Sequence, residues 1–254
     1  MTAPDVLIFD LFGTLVFFDD SRVPTMEISG RRIPMTIRGL PQILTELLPA
    51  VPIEEFLREL RTASLAVIEE KRRAGIEIPT RVRFERTLAR FGLGEPIATV
   101  AARQMAELHM DTLARSVVCP PGRPELLSRL AKSHRLALLS NFDDGATARR
   151  VLAEAGLAPY FEVIVISEEE GLRKPVREIF ERACSRMGAA PGDCLYIGDT
   201  LVEDIEGAHG AGLSALWVRP ETDEAQAASP AVAVLADVDA LPGWLSREKI
   251  GDRH

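Results

Sequence analysis

The chain has 254 residues, of which 46% are hydrophobic and 27% are charged, a balance typical of a folded protein with a sizeable core. Its net charge of −8 is spread along the sequence, which argues against a dedicated nucleic-acid binder, since such proteins carry a basic face. The three cysteines lack metal-site spacing and the amino-terminal stretch lacks a signal-peptide or membrane-span pattern, so we expect a cytoplasmic protein with reduced thiols and no membrane partner.

Short apolar runs bounded by turn residues recur along the sequence and predict buried strands. They lie at 6–9, 136–139, 163–166, 194–197 and 215–218, with a weaker run at 231–235. Stretches with helical periodicity separate the later runs, at 124–133, 146–155 and 176–187. This alternation predicts an α/β fold with an open, Rossmann-like parallel sheet.

The segment between the first two of these runs has a different pattern. Apolar residues recur at helical spacing over 41–48, 53–74, 80–91 and 96–115, which predicts a helical insertion after the first strand. Ahead of it, residues 24–35 alternate around Ser29-Gly30 and predict a small β-hairpin. We therefore expect an α/β core from residues 1–20 and 117–254, and an inserted unit, residues 21–116, that contains the hairpin and the helices.

Polar residues follow the carboxyl ends of the predicted strands, which is where open α/β sheets bind their ligands. Asp10 ends the first strand and Ser140 the second, while Lys174 follows the third. Asp199 ends the fourth strand, and Asp204 lies five residues later. Carboxylates are ligands that Mg²⁺ prefers and are also nucleophiles, while an ammonium and a hydroxyl stabilise a transferring anionic group. These residue types therefore fit metal-assisted transfer of an anionic group.

In this order, and each at a strand end, four segments resemble the four motifs of the haloacid dehalogenase superfamily of hydrolases. The segments are Phe9-Asp10-Leu11-Phe12-Gly13-Thr14-Leu15, Leu139-Ser140-Asn141, Lys174-Pro175 and Gly198-Asp199-Thr200-Leu201-Val202-Glu203-Asp204-Ile205. The resemblance covers the core from Asp5 to near Pro220. The helical insertion matches the family's helical cap in position and character, without matching particular residues.

The resemblance implies a hydrolase that uses Asp10 as its nucleophile, with a covalent aspartyl intermediate that water then hydrolyses. It implies a Mg²⁺ ion held by Asp10, the backbone carbonyl of Phe12, Asp199 and, directly or through water, Asp204. The further residues that it assigns are Ser140 and Lys174 for catalysis and, for substrate binding, Thr14, Ser140, Asn141 and Lys174. Thr14 is also expected to donate a hydrogen bond to the nucleophile. The substrate implied is a small phosphorylated or otherwise anionic molecule.

Phe12 departs from the pattern of the family's phosphatases, which carry a second aspartate two residues after the nucleophile. That aspartate protonates the leaving alcohol and later activates water, whereas a phenylalanine transfers no proton. General acid–base catalysis of this kind is worth about 10²–10⁴ in rate. The metal site needs only the backbone carbonyl of Phe12, so the substitution affects the proton transfer alone.

Three functions remain open, of which we expect the first: a Mg²⁺-dependent phosphatase, a dehalogenase-like or phosphonatase-like hydrolase, and a weakly active or non-catalytic binding protein. Dehalogenases of the family carry an aromatic residue where Phe12 stands, but they lack the acid at the place of Asp199. Phosphonatases use a cap lysine as a Schiff base. Lys71 is the only lysine between Asp10 and Lys132, and no sequence pattern marks it as buried.

Overall fold

The computed structural model of the chain describes residues 4–218 and 229–251. The chain divides into two compact units, one formed by the residues up to Phe18 and from Val118 onward, and the other by Asp19–Val117. The inserted unit expected from the sequence, residues 21–116, begins two residues later and ends one residue earlier than the second unit of the structure.

The helices and strands follow the predicted order. The strands are β1 (Val6–Phe9), β2 (Phe17–Phe18), β3 (Thr25–Ile28), β4 (Arg31–Pro34), β5 (Val117–Val118), β6 (Arg135–Ser140), β7 (Val163–Ile166), β8 (Cys194–Gly198), β9 (Ser214–Val218) and β10 (Ala233–Leu235). The helices are α1 (Leu40–Leu47), α2 (Ile53–Ala74), α3 (Arg81–Arg90), α4 (Ile97–Ser116), α5 (Arg123–Leu130), α6 (Gly145–Glu154), α7 (Ser167–Glu170), α8 (Arg177–Met187), α9 (Gly207–Gly210) and α10 (Leu241–Gly251).

The first unit is built around a parallel sheet. Within the described residues it has six strands in the order β10-β9-β8-β1-β6-β7. The central strand β1 pairs with β6 on one side and β8 on the other, and all four of its side chains are fully buried. A strand covered on both faces needs apolar residues at every position, which explains the continuous runs in the sequence. The predicted α/β fold with an open parallel sheet is confirmed.

Helix α8 and the turn at the start of α9 pack on one face of this sheet. The ring of Phe180 meets Tyr196 of β8 edge-on, with centroids 5.3 Å apart. Gly207 is needed beneath that ring, because a Cβ there would lie 3.0 Å from Phe180 and 3.0 Å from the Cα of Pro175. This close packing fixes the loop that carries Lys174 against the sheet.

The second unit contains the predicted hairpin and helices. Strands β3 and β4 are antiparallel, and Ser29 and Gly30 adopt positive φ angles at the turn between them. The side chains of Phe56, Phe84 and Leu88 are buried in the core of the helices. None of the helices in the described ranges combines the length and the apolar character needed to cross a bilayer.

Lys71 corrects one expectation from the sequence. Its side chain is buried in the second unit, and its Nζ lies 2.6 Å from Oε1 of Glu77, which is buried too. Periodicity places Lys71 near the end of α2 but does not reveal the acidic partner six residues later, whose charge makes the burial of an ammonium tolerable.

Candidate active site

Three neighbouring strands bring the predicted residues to one edge of the sheet. Asp10 directly follows β1, Ser140 is the last residue of β6, and Asp199 directly follows β8. Because these strands are parallel and adjacent, the residues at their carboxyl ends lie side by side. The backbone N–H of Asp10 donates to the carbonyl of Ile197 at 2.9 Å, which fixes the nucleophile candidate against β8.

The ammonium of Lys174 connects the acidic residues. Its Nζ donates to Oδ1 of Asp10 at 2.7 Å, to Oδ1 of Asp204 at 2.6 Å and to the hydroxyl of Tyr196 at 2.7 Å. All three protons of the ammonium therefore have acceptors. Lys174 is 2% exposed, Asp10 5% and Asp204 2%, so this is a buried ion-pair network.

Tyr196 is a site residue that the sequence analysis missed. Its hydroxyl accepts from Lys174 and lies 3.0 Å from the carbonyl of Leu139 and 3.1 Å from Oδ1 of Asp204, the two acceptors available for its proton. The sequence does hold one clue to it, because a tyrosine inside an otherwise apolar, buried strand needs a buried hydrogen-bond partner for its hydroxyl.

Asp204 lies in a π-helical turn, Leu201–Glu206, of a kind often found at functional sites. Its Oδ2 accepts hydrogen bonds from the backbone N–H groups of Asp199 at 3.1 Å and Thr200 at 2.9 Å. The carboxylate packs so closely on β8 that a Cβ at Gly198 would lie 2.4 Å from its Cγ. Both oxygens of Asp204 are thus engaged by the protein.

The acidic cluster has the composition of a cation site. One carboxylate oxygen from each of Asp10, Asp199 and Asp204 lies within 4.8 Å of the others. Oδ1 of Asp199 is buried without a hydrogen-bond partner among the described residues. Gly13, at φ +92°, approaches the cluster so closely that a Cβ there would lie 2.2 Å from Oδ2 of Asp199. Close-set carboxylates with an unpartnered oxygen fit a hard divalent cation such as Mg²⁺.

Burial of several like charges shifts the ionisation of the site. Burial raises the pKa of Asp10 to about 7; Lys174 opposes this shift, and the charges of Asp204 and Asp199 add to it. Burial, reinforced by Asp204, raises the pKa of Asp199 to about 6. Burial disfavours the charged form of Lys174, but the charges of Asp10 and Asp204 outweigh it and raise the pKa of that lysine. Lys174 therefore stays an ammonium, while the carboxylates carry the excess charge.

The predicted substrate-binding residues occupy two kinds of position. Oγ1 of Thr14 and Oγ of Ser140 are buried and have no hydrogen-bond partner in the part of the chain that the structure describes, so Thr14 does not donate to Asp10 as the sequence suggested. Asn141 instead holds a loop: its Nδ2 donates to the carbonyl of Lys174 at 3.0 Å and its Oδ1 accepts from the N–H of Lys174 at 2.9 Å. The two hydroxyls are free to bind a ligand, whereas the amide positions the lysine.

Phe12 lies two residues beyond β1, in an aromatic stack. Its ring centroid is 5.0 Å from that of Phe18 and 4.5 Å from that of Phe142, with interplanar angles of 6° and 25°. The position that carries an acid in phosphatases of the family is therefore filled by the middle ring of three. Neither stacking partner was predicted, because Phe142 is 130 residues from Phe12 in the chain and the six-residue spacing of Phe12 and Phe18 indicates no contact by itself.

We predict that Asp199→Asn stabilises the metal-free protein at pH 8. The pKa of Asp199 is about 6 in the folded chain and 3.8 when unshifted, so the unfolded state loses this proton first and stability falls as pH rises from 4 through 6. The neutral amide removes this cost, which is about 1–3 kcal/mol at pH 8 and only about 0.5 kcal/mol at pH 4.

The measurement is the urea midpoint in EDTA at both pH values, with Asp193→Asn, an exposed residue at the opposite end of β8, as the matched control. If Asp199→Asn is no more stable than wild type at pH 8, the charged carboxylate of Asp199 does not destabilise the folded protein and the prediction is wrong.

Known proteins with similar sequences support the same family as the motifs. The family model described as haloacid dehalogenase-like hydrolase matches residues 4–212. N-acylneuraminate-9-phosphatase of Mus musculus is 39% identical over 121 residues, which make up 46% of this chain and 48% of the mouse protein. The match thus spans about half the length of that curated relative.

Solved structures share the fold. A haloacid dehalogenase-type hydrolase of Bacillus subtilis, YfnB, bound to magnesium, aligns with a TM-score of 0.60 and 21% identity over 96% of this chain and 100% of that one. The 2-haloacid dehalogenase of Pseudomonas syringae pv. Tomato aligns with a TM-score of 0.68 and 24% identity over 96% and 99% of the two chains. Since the family model covers most of the sequence, including all four motifs, the chain belongs to the haloacid dehalogenase-like hydrolase family.

Proposed function

We propose that the chain is a Mg²⁺-dependent phosphoric monoester hydrolase of the cytoplasm that uses Asp10 as its nucleophile. The observation that carries the proposal is the cluster of Asp10, Asp199 and Asp204, whose oxygens lie within 4.8 Å of one another. The loop after β1 and the end of β6 carry two buried hydroxyls, on Thr14 and Ser140, that have no partner among the described residues. A cation site next to unengaged hydrogen-bond donors suits a phosphate group, and the mouse relative is a phosphatase.

Asp10 has one oxygen held and one available. Lys174 donates to Oδ1 of Asp10, so Oδ2 is the oxygen that attacks phosphorus. The new bond joins Oδ2 to phosphorus while the ester P–O bond breaks and its electron pair leaves with the alcohol. Water then attacks phosphorus, the Oδ2–P bond breaks, and inorganic phosphate and free Asp10 result. The carboxylate acts as the nucleophile in its deprotonated form, which the ammonium of Lys174 favours.

The remaining residues bind and orient. Ser140 and Thr14 donate to phosphoryl oxygens, which satisfies hydroxyls that are otherwise buried and have no partner in the described ranges. Lys174 neutralises charge next to the nucleophile, and Asn141 keeps the backbone of Lys174 in place through two hydrogen bonds. No proton comes from Phe12, so the leaving alcohol must depart as an anion or take its proton from water.

The residues that would hold the cation directly are Asp10, Asp199 and the backbone carbonyl of Phe12. Both oxygens of Asp204 are already hydrogen-bonded to the protein, so Asp204 would contact the cation through water while it orients Lys174 and the backbone of Asp199. Mg²⁺ bound there supplies positive charge that offsets the charge of the phosphoryl group.

Dehalogenation is the second candidate, and Phe12 favours it, because a halide leaves without a proton. Asp199 argues against it, since a half-buried carboxylate whose buried Oδ1 has no partner among the described residues repels a carboxylate substrate unless a cation is bound. A phosphonatase-type lysine has less support, because Nζ of Lys71 is paired with Glu77 at 2.6 Å. Release of chloride from 2-chloropropionate without Mg²⁺, and no phosphate release, would favour the dehalogenase.

Asp10→Asn is expected to abolish hydrolysis of p-nitrophenyl phosphate, lowering kcat by about 10³-fold or more, because an amide is a poor nucleophile. Lys174 keeps an acceptor at this position, so the variant should fold. The measurement is p-nitrophenol release with and without Mg²⁺, with Asp193→Asn as the matched control that keeps wild-type activity. Unchanged activity in Asp10→Asn would disprove the proposed nucleophile.

Gly13→Ala is expected to lower Mg²⁺ affinity at least about tenfold, because the added Cβ would lie 2.2 Å from Oδ2 of Asp199 and displace a ligand. Gly212→Ala is the matched control. Gly212 has a similar φ of +87°, but its nearest neighbour to a Cβ is Pro191 at 3.7 Å, far less close. Calorimetric titration of Mg²⁺ into both variants separates backbone strain, which they share, from the clash. Equal affinities would contradict the assigned cation site.

A further inference from the structure

We infer that the stack of Phe18, Phe12 and Phe142 selects substrates whose leaving group is a planar aromatic alcohol, so that aryl phosphate monoesters are the preferred class. The inference rests on the proposed function and names the substrate class of the same site. Its basis is the packing of three rings, of which two lie in the loops that carry the nucleophile and Ser140 and the third, Phe18, ends β2.

The topology brings these rings to the reacting edge. Phe12 follows Asp10 by two residues and Phe142 follows Ser140 by two residues, at the carboxyl ends of the adjacent strands β1 and β6. Phe18 completes the stack from the end of β2, with its ring nearly parallel to that of Phe12. All three rings belong to the first unit.

Hydrogen bonds hold the backbone around two of the rings. The N–H of Phe142 donates to Oγ of Ser167 at 2.9 Å, and that hydroxyl lies 3.2 Å from the carbonyl of Phe142 as its acceptor. Ser167 is fully buried. On the other loop, the N–H of Gly13, next to Phe12, donates to the carbonyl of Val16 at 2.8 Å. A stack supported in this way is formed before any ligand binds, which lowers the entropic cost of recognition.

The stack ends in an exposed apolar surface. Phe18 is 42% exposed, although its other face is covered by Phe12. A planar ring placed against such a surface removes apolar area from water and gains the offset-stacked geometry that aromatic groups prefer. An aliphatic group of the same size gains only the first of these.

The chemistry at Phe12 points to the same class. With no proton donor at that position, a group that leaves phosphorus as a weakly basic anion is favoured over one that has to take its proton from water. Phenolates are anions of this kind, and alkoxides of sugars are not. Phosphoanhydrides also have weakly basic leaving groups, but those carry charge, which three phenyl rings solvate poorly. A planar, uncharged, weakly basic leaving group satisfies both constraints.

The test compares two esters whose leaving alcohols are similarly acidic and differ in planarity: phenyl phosphate and hexafluoroisopropyl phosphate. We expect wild type to favour phenyl phosphate by about 3–10-fold in kcat/KM. Phe18→Ala should abolish the preference and Phe18→Trp should keep it. Leu65→Ala, a change at a 57% exposed residue of α2, serves as the control for substitution in general and should keep the wild-type ratio.

Binding gives a readout that does not depend on turnover. In Asp10→Asn with Mg²⁺, phenyl phosphate should bind more tightly than cyclohexyl phosphate, and Phe18→Ala in that background should remove the difference. Equal kcat/KM for the two wild-type substrates, each dependent on Asp10, would overturn the inference and leave the proposed function standing. A preference that survives Phe18→Ala would overturn the role of the stack. Hydrolysis of neither ester would overturn both proposals.

Discussion

The buried ammonium of Lys174 is the interaction on which the site depends. Asp10 and Asp204 are almost fully buried, and a carboxylate in such surroundings is stable only with a charged partner at hydrogen-bond distance. Lys174 serves both, while Asp199 has no such partner within residues 4–218 and 229–251 and keeps an unpartnered oxygen. Burial, with the neighbouring negative charges adding to it, raises the pKa values of Asp10 and Asp199, and the excess of negative charge creates the demand for a cation. In the proposed mechanism this excess of negative charge is what binds Mg²⁺.

The backbone makes such crowding possible. Adjacent parallel strands place Asp10, Ser140 and Asp199 at one edge, and glycines at 13 and 198 leave space where any Cβ would collide with a carboxylate. The side chain of Asn141 binds both the backbone N–H and the backbone carbonyl of Lys174. The strand end that carries Ser140 therefore also fixes the lysine. Nucleophile, cation site and ammonium are thus positioned by one framework rather than by separate loops.

Much of this arrangement follows from local sequence patterns. The runs at 6–9 and 163–166 coincide with β1 and β7, and the strand-end motifs place Asp10, Ser140, Lys174 and Asp199 together before any contact is known. The rest depends on partners far apart in the chain, as Lys174 is 164 residues from Asp10. For that reason the hydroxyl contact of Tyr196, the loop-holding role of Asn141, the aromatic stack around Phe12 and the ion pair that buries Lys71 were not predictable from periodicity.

The central claim is that Asp10 forms a covalent bond to phosphorus. The most direct measurement quenches the enzyme with acid during turnover of phenyl phosphate and Mg²⁺, then reduces it with borohydride, which converts a phosphorylated aspartate to homoserine. Peptide mass mapping should find homoserine at position 10 in wild type and nowhere in the Asp10→Asn protein. Active enzyme that yields intact aspartate at position 10, or homoserine at position 199 or 204 instead, would contradict the account.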